Sequence, residues 1–145
     1  MAEDHKVRWG WLKFMYIYTI VGAGGFGLAI LFVPEIVKTV FGWPVKEPVA
    51  FGIIGSSYLA FGILSVFGLR APLKFIPVLL LQLCYKSIWF IGVIIPMIIY
   101  GRIPNYAIYL MIIFLTYIIG DLIAIPFSNL FAQDSSQERI DRLRM

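Results

Sequence analysis

The chain has 145 residues, 61% of them hydrophobic, 17% aromatic and only 14% charged, with a formal net charge of +4. Soluble domains are typically about 45–50% apolar and about 25% charged, and a domain of this size still leaves roughly 30% of its unfolded surface in water; a soluble globule is therefore excluded, as is a disordered chain, which needs low hydrophobicity. One cysteine excludes an internal disulfide framework, the lone histidine, His5, excludes the common His-rich metal sites, and basic residues that flank apolar blocks read as membrane topology rather than as a nucleic-acid surface.

A bilayer core about 30 Å thick takes roughly 20 helical residues at about 1.5 Å each. Four blocks reach that length: residues 14–33, 49–69, 75–100 and 106–130. They are rich in Ile, Val, Phe and Tyr, which favour strands in water, but in hydrocarbon an unbroken apolar run can satisfy its own N–H groups only as a helix. The first block could pass for a signal peptide, with Val21-Gly22-Ala23 at a cleavable position. Apolar sequence continues to Val33, however, which predicts an uncleaved signal-anchor.

Between the first two blocks, Pro34 to Pro48 is amphipathic, with Ile36, Val37, Val40 and Phe41 set against Glu35 and Lys38. Proline at a first helical position and Gly42 past the end predict a short interfacial helix. Trp9, Trp11 and Trp43 are placed as interfacial anchors. The connections Arg70 to Lys74 and Gly101 to Asn105 are tight, so the second, third and fourth helices are expected to be antiparallel neighbours. The polar tail, residues 131–145, predicts at most a short surface helix. Eight basic residues (Lys6, Arg8, Lys13, Arg70, Lys74, Arg139, Arg142, Arg144) fall on one side and three (Lys38, Lys46, Arg102) on the other. The positive-inside rule then places both termini in the cytoplasm. The predicted fold is all-α, a single domain built as an antiparallel bundle of four transmembrane helices.

Close packing is expected between the first two helices. Ala23 and Gly27 are four residues apart on one, and Gly52, Ser56 and Ala60 repeat at four on the other. Two ionisable residues lie inside spans, Lys86 and Asp121, each costing about 2.5–3.5 kcal/mol on insertion scales if left alone. Counted from the turn between their helices, they fall within about 3 Å of the same depth, which predicts an ion pair facing the interior. Gln82 and Trp89 lie one turn either side of Lys86, and Tyr117 one turn before Asp121. Ser56, Ser57 and Tyr58 fall at a matching depth on the second helix, so all eight residues are assigned to one polar layer, with Ser128 further along the fourth helix. Pro96 and Pro126 should release the carbonyls of Gly92 and Leu122.

Three readings of the layer stand side by side: an ion pair that fixes which helix meets which, a pocket for a small or amphipathic molecule, and a proton or ion route. No metal-binding, CxxC, HExxH, GxSxG or phosphate-loop pattern occurs, so no cofactor or catalytic residue is assigned.

Gly55-Ser56-Ser57-Tyr58-Leu59-Ala60-Phe61-Gly62, the basic turn Arg70 to Lys74, and Tyr85-Lys86-Ser87-Ile88-Trp89 resemble small bacterial four-helix membrane proteins of the broad DoxX-like type. The resemblance covers about the middle third of the chain. It implies an inner-membrane four-helix protein and carries over no catalytic residue. The expectation is a non-enzymatic accessory or lipid- or small-molecule-binding subunit. Its partners would be the lipid bilayer and a second copy or another membrane protein, not nucleic acid. The alternatives are an ion- or proton-coupled transporter working as an oligomer and, third, a membrane enzyme acting on lipid or quinone.

Overall fold

Helix α1, Trp9–Phe32, begins before the apolar block itself and carries Trp9 and Trp11 in its exposed first turns. The computed structural model describes residues 7–44 and 47–145, with backbone alone for 132–136. His5, Lys6 and Lys46 lie outside the described residues. Midway, α1 widens into a π turn at Ile20–Gly24, immediately after Thr19.

Helix α2, Pro34–Phe41, forms as its sequence predicts. Pro34 opens it, Gly42 closes it in the left-handed conformation (φ 63°), and the Trp43 amide returns to the Lys38 carbonyl at 2.9 Å. Its inner face buries Val37, while Lys38 pairs with exposed Glu35 at 2.9 Å. Trp43 turns inward rather than acting as a lone anchor, packing against the rings of Phe26, Phe51 and Tyr106 at 6.3, 5.5 and 5.9 Å.

Helix α3, Pro48–Arg70, is capped by a glutamate where Ser, Thr, Asp or Asn is usual. The Glu47 carboxylate accepts from the Val49 and Ala50 amides at 3.1 and 2.6 Å, and these bonds hold its carboxyl below the ordinary carboxylate range. A lowered pKa means that the cap contributes above the ordinary carboxylate range and is lost as pH falls through the shifted value. Glu47→Ala should therefore speed hydrogen exchange at the start of α3 at neutral pH, and the difference from the parent should shrink in acid.

Helix α4, Ile76–Ile99, widens into a second π turn at Phe90–Ile94 just ahead of Pro96, so the backbone absorbs the missing N–H as a bulge. Helix α5, Asn105–Ala124, ends well short of residue 130. Proline disfavours the α region for the residue before it; Ile125 accordingly turns extended (φ −73°, ψ 121°), and α6, Phe127–Arg144, starts afresh. Pro126 thus ends a helix instead of kinking one, and the tail is a longer helix than the sequence suggests. No strand occurs among the described residues, and α1, α3, α4 and α5 are each long and apolar enough to cross a membrane.

Helix α1 packs along α3 and also against α5, while α4 leans mainly on α5. The α1–α3 seam is as tight as expected and uses Gly27 as expected, but on α3 it runs along Gly55, Leu59 and Gly62. A Cβ at Gly62 would lie 2.6 Å from the Gly24 Cα, and one at Gly27 would lie 2.6 Å from the Gly55 carbonyl and run into the Leu59 backbone. Gly52, Ser56 and Ala60 are off this face; Ser56 and Ala60 are exposed. Helices α3 and α4, expected as close neighbours, touch sparsely, because the rings of Phe61 and Tyr85 stand between them at 5.5 Å. Tyr16 fastens their turn by donating to the Pro72 carbonyl at 2.6 Å, in space that Gly68 leaves open.

Candidate functional site

Each of the four long helices contributes a fully buried polar side chain: Thr19 from α1, Ser65 from α3, Gln82 and Lys86 from α4, and Asp121 from α5. Three of them form a chain of hydrogen bonds. The Lys86 amine donates to Gln82 Oε1 at 3.0 Å, Gln82 Nε2 donates to Thr19 Oγ1 at 3.1 Å, and the Thr19 hydroxyl donates to the Met15 carbonyl at 2.8 Å. Lys86 and Gln82 are one helical turn apart, so α4 itself sets their geometry, and the Gln82 amide fastens α4 to α1.

Aromatic rings wall the Lys86 amine. It lies 4.2 Å from the Tyr117 ring centre, 4.5 Å from that of Tyr85 and 5.3 Å from that of Phe114. A cation over such faces gains about 2 kcal/mol or more when desolvated. Tyr117 is held in turn: its hydroxyl donates to the Tyr18 carbonyl at 3.2 Å, beside the π turn of α1, and Gly22 leaves room for it.

The expected ion pair does not form. Among the described residues the one ion pair is Lys38–Glu35, and neither carboxylate oxygen of buried Asp121 has a hydrogen-bond partner. The reason is local. Lys86 is engaged by Gln82 and the rings, while α5 turns Asp121 beside Gly120, which packs on Met15, in the final turn before the Pro126 break.

Beside the amine lies a cavity of about 240 Å³, lined by Tyr18, Phe26, Tyr58, Lys86, Phe114 and Tyr117 among others. Of the residues assigned to the layer from sequence, Lys86, Gln82 and Tyr117 come together with Asp121 one turn on, and Tyr58 lines the cavity. Trp89 packs on Phe114 at 5.0 Å, behind the ring that faces the amine. Ser56, Ser57 and Ser128 are exposed, and Ser57 spends its hydroxyl on the Ile53 carbonyl at 2.8 Å, so none of the three joins the site.

Sequence reasoning missed Thr19, Ser65, Tyr18 and Tyr85. For Thr19 a signal existed: the small-residue stripe Ala23–Gly27, extended back by four residues, reaches it. The site offers a buried amine with donors to spare, set in an apolar chamber; its chemistry is that of holding an oxygen-bearing group. No protein family, curated protein or solved structure matches the chain.

Proposed function

We propose that this is an integral membrane protein, an antiparallel bundle of four spanning helices that holds a small amphipathic molecule by an oxygen-bearing head at Lys86. Support for the membrane comes from the long helices, which leave large apolar side chains such as Val21, Ile53, Ile88, Ile91 and Ile119 exposed all round. The distribution of basic residues favours cytoplasmic termini, and the resemblance to DoxX-like proteins favours a bacterial inner membrane.

One observation carries the binding reading. A lysine ammonium has three N–H donors, and Lys86, 1% exposed, spends one on Gln82 while lining a cavity with almost no other polar surface. Unmade hydrogen bonds of buried groups cost about 1–3 kcal/mol, more for charged ones. A carboxylate, phosphate or carbonyl oxygen delivered by an apolar body would satisfy those donors. The reading is non-enzymatic: among the described residues Lys86 is the one charged side chain that lines the chamber, and the rest of the lining is apolar or aromatic.

Native mass spectrometry of protein extracted in mild detergent tests this. The parent should carry a co-purifying molecule with such a head, and Lys86→Met should lower its occupancy about 10- to 100-fold, the loss expected for a charge-assisted hydrogen bond of roughly 1.5–3 kcal/mol. Equal occupancy in the variant would overturn the proposal.

A further inference from the structure

A second recess lies on the outer surface between α3 and α4, a groove of about 520 Å³ whose walls include Phe61, Leu64, Leu81 and Tyr85. Tyr58 lines both this groove and the inner cavity. The ring of Tyr85, stacked on Phe61 at 5.5 Å in the groove, lies 4.5 Å from the Lys86 amine by its centre. Two tyrosine side chains are therefore the partition between an apolar groove facing outward and a buried amine. The helices on either side touch sparsely, so side chains rather than packed backbone separate the two spaces.

Size decides how the two spaces are used. Small-molecule sites run from about 300 to 1,000 Å³. The inner cavity, at about 240 Å³, falls below that range, and the groove, at about 520 Å³, falls within it. The chamber takes a headgroup; a body needs the groove.

We infer that the molecule held at Lys86 is a single-tailed anionic lipid that enters sideways between α3 and α4, its head beside the amine and its chain in the outer groove past Tyr58 and Tyr85. This rests on the binding reading above. The occupant follows from continuity and surroundings: the inner end of the path is a cation donor, its outer end is apolar, and what faces that end in a membrane is acyl chain. One groove takes one chain, which sets a single-tailed lipid apart from a two-tailed one.

The test uses the full chain in nanodiscs. A palmitate analogue with a diazirine near its methyl end should crosslink to residues 53–64 of α3 and 81–85 of α4; crosslinks confined to α1 and α5 would overturn the lateral route. Leu64→Trp, which fills the groove, should weaken palmitate at least about tenfold, the loss expected when two or more methylenes lose their cover. Hexanoate, too short to reach the groove, should bind the parent and this variant alike and be lost in Lys86→Met. Unchanged palmitate affinity in Leu64→Trp, with hexanoate still dependent on Lys86, would overturn the groove and leave the binding reading standing. Failure of both acids to bind the parent would overturn the two together. Hexadecanol, with the same tail and no charge, should bind far more weakly than palmitate; equal binding would overturn the anionic head. Dodecyl phosphate beside laurate tells which anionic head is preferred, and binding of either supports the inference.

Discussion

Gly27→Ala is expected to lower the unfolding free energy by about 3 kcal/mol, near the top of the range for overpacked interiors. The added methyl would press on the Gly55 carbonyl, 2.6 Å away, and on the Leu59 backbone. Main chain inside a helix cannot swing aside as a side chain does, so α1 and α3 would have to separate along the seam. Gly25→Ala is the matched control. It is exposed and its added Cβ meets nothing within 4 Å, so stability should change by less than about 1 kcal/mol, in the favourable direction. Denaturant titration in mixed micelles reads both. Equal effects would mean that the seam does not hold the first two long helices together.

Lys86→Met and Asp121→Asn should differ sharply in cost. Methionine leaves the Gln82 amide oxygen bare, at about 1–3 kcal/mol, and forfeits the three ring faces, so a loss of roughly 3 kcal/mol is expected. Asparagine breaks no hydrogen bond among the described residues and should cost under about 1 kcal/mol. Were the two residues a true ion pair, each single change would cost about 3–5 kcal/mol. The same titration decides. Asp121→Asn also separates ligand holding from ion-coupled carriage: the unpartnered carboxyl favours a carrier as second reading, in which proteoliposomes would dissipate an imposed proton gradient with the parent and not with the variant.

The elements were legible because their signals are one-dimensional. Run length marks the four long helices, and Pro34 and Gly42 bracket α2 by backbone chemistry that needs no neighbours. The site was half legible. Lys86 and Asp121 announce themselves as charges in apolar runs, and Gln82 follows by one turn. Counting residues from a turn gives height along a helix and leaves open the direction a side chain faces. In a helix that is apolar all round no periodicity marks the inner face, so Ser56 and Ser57 matched in height and yet face outward, while Thr19 and Ser65 were passed over. The ion pair failed for the same reason: similar depth did not bring the carboxylate to the amine once aromatic rings and Gln82 had claimed it. The end of α5 was misjudged because Pro126 was weighed by its own lost N–H rather than by its effect on Ile125.

The wide turn at Ile20–Gly24 separates two duties of α1. Before it, Thr19 meets Gln82; after it, Gly24 and Gly27 meet α3. One residue more or less in a helix rotates everything beyond it by about 100°, and a five-residue turn absorbs such an offset locally. The two halves of α1 are thus aimed independently, like sections of a shaft joined by a keyed coupling. Length at Ile20–Gly24 is consequently a requirement of its own beside the glycines at 22 and 24, and a one-residue deletion there would swing Thr19 off its partner even with every glycine contact to α3 intact.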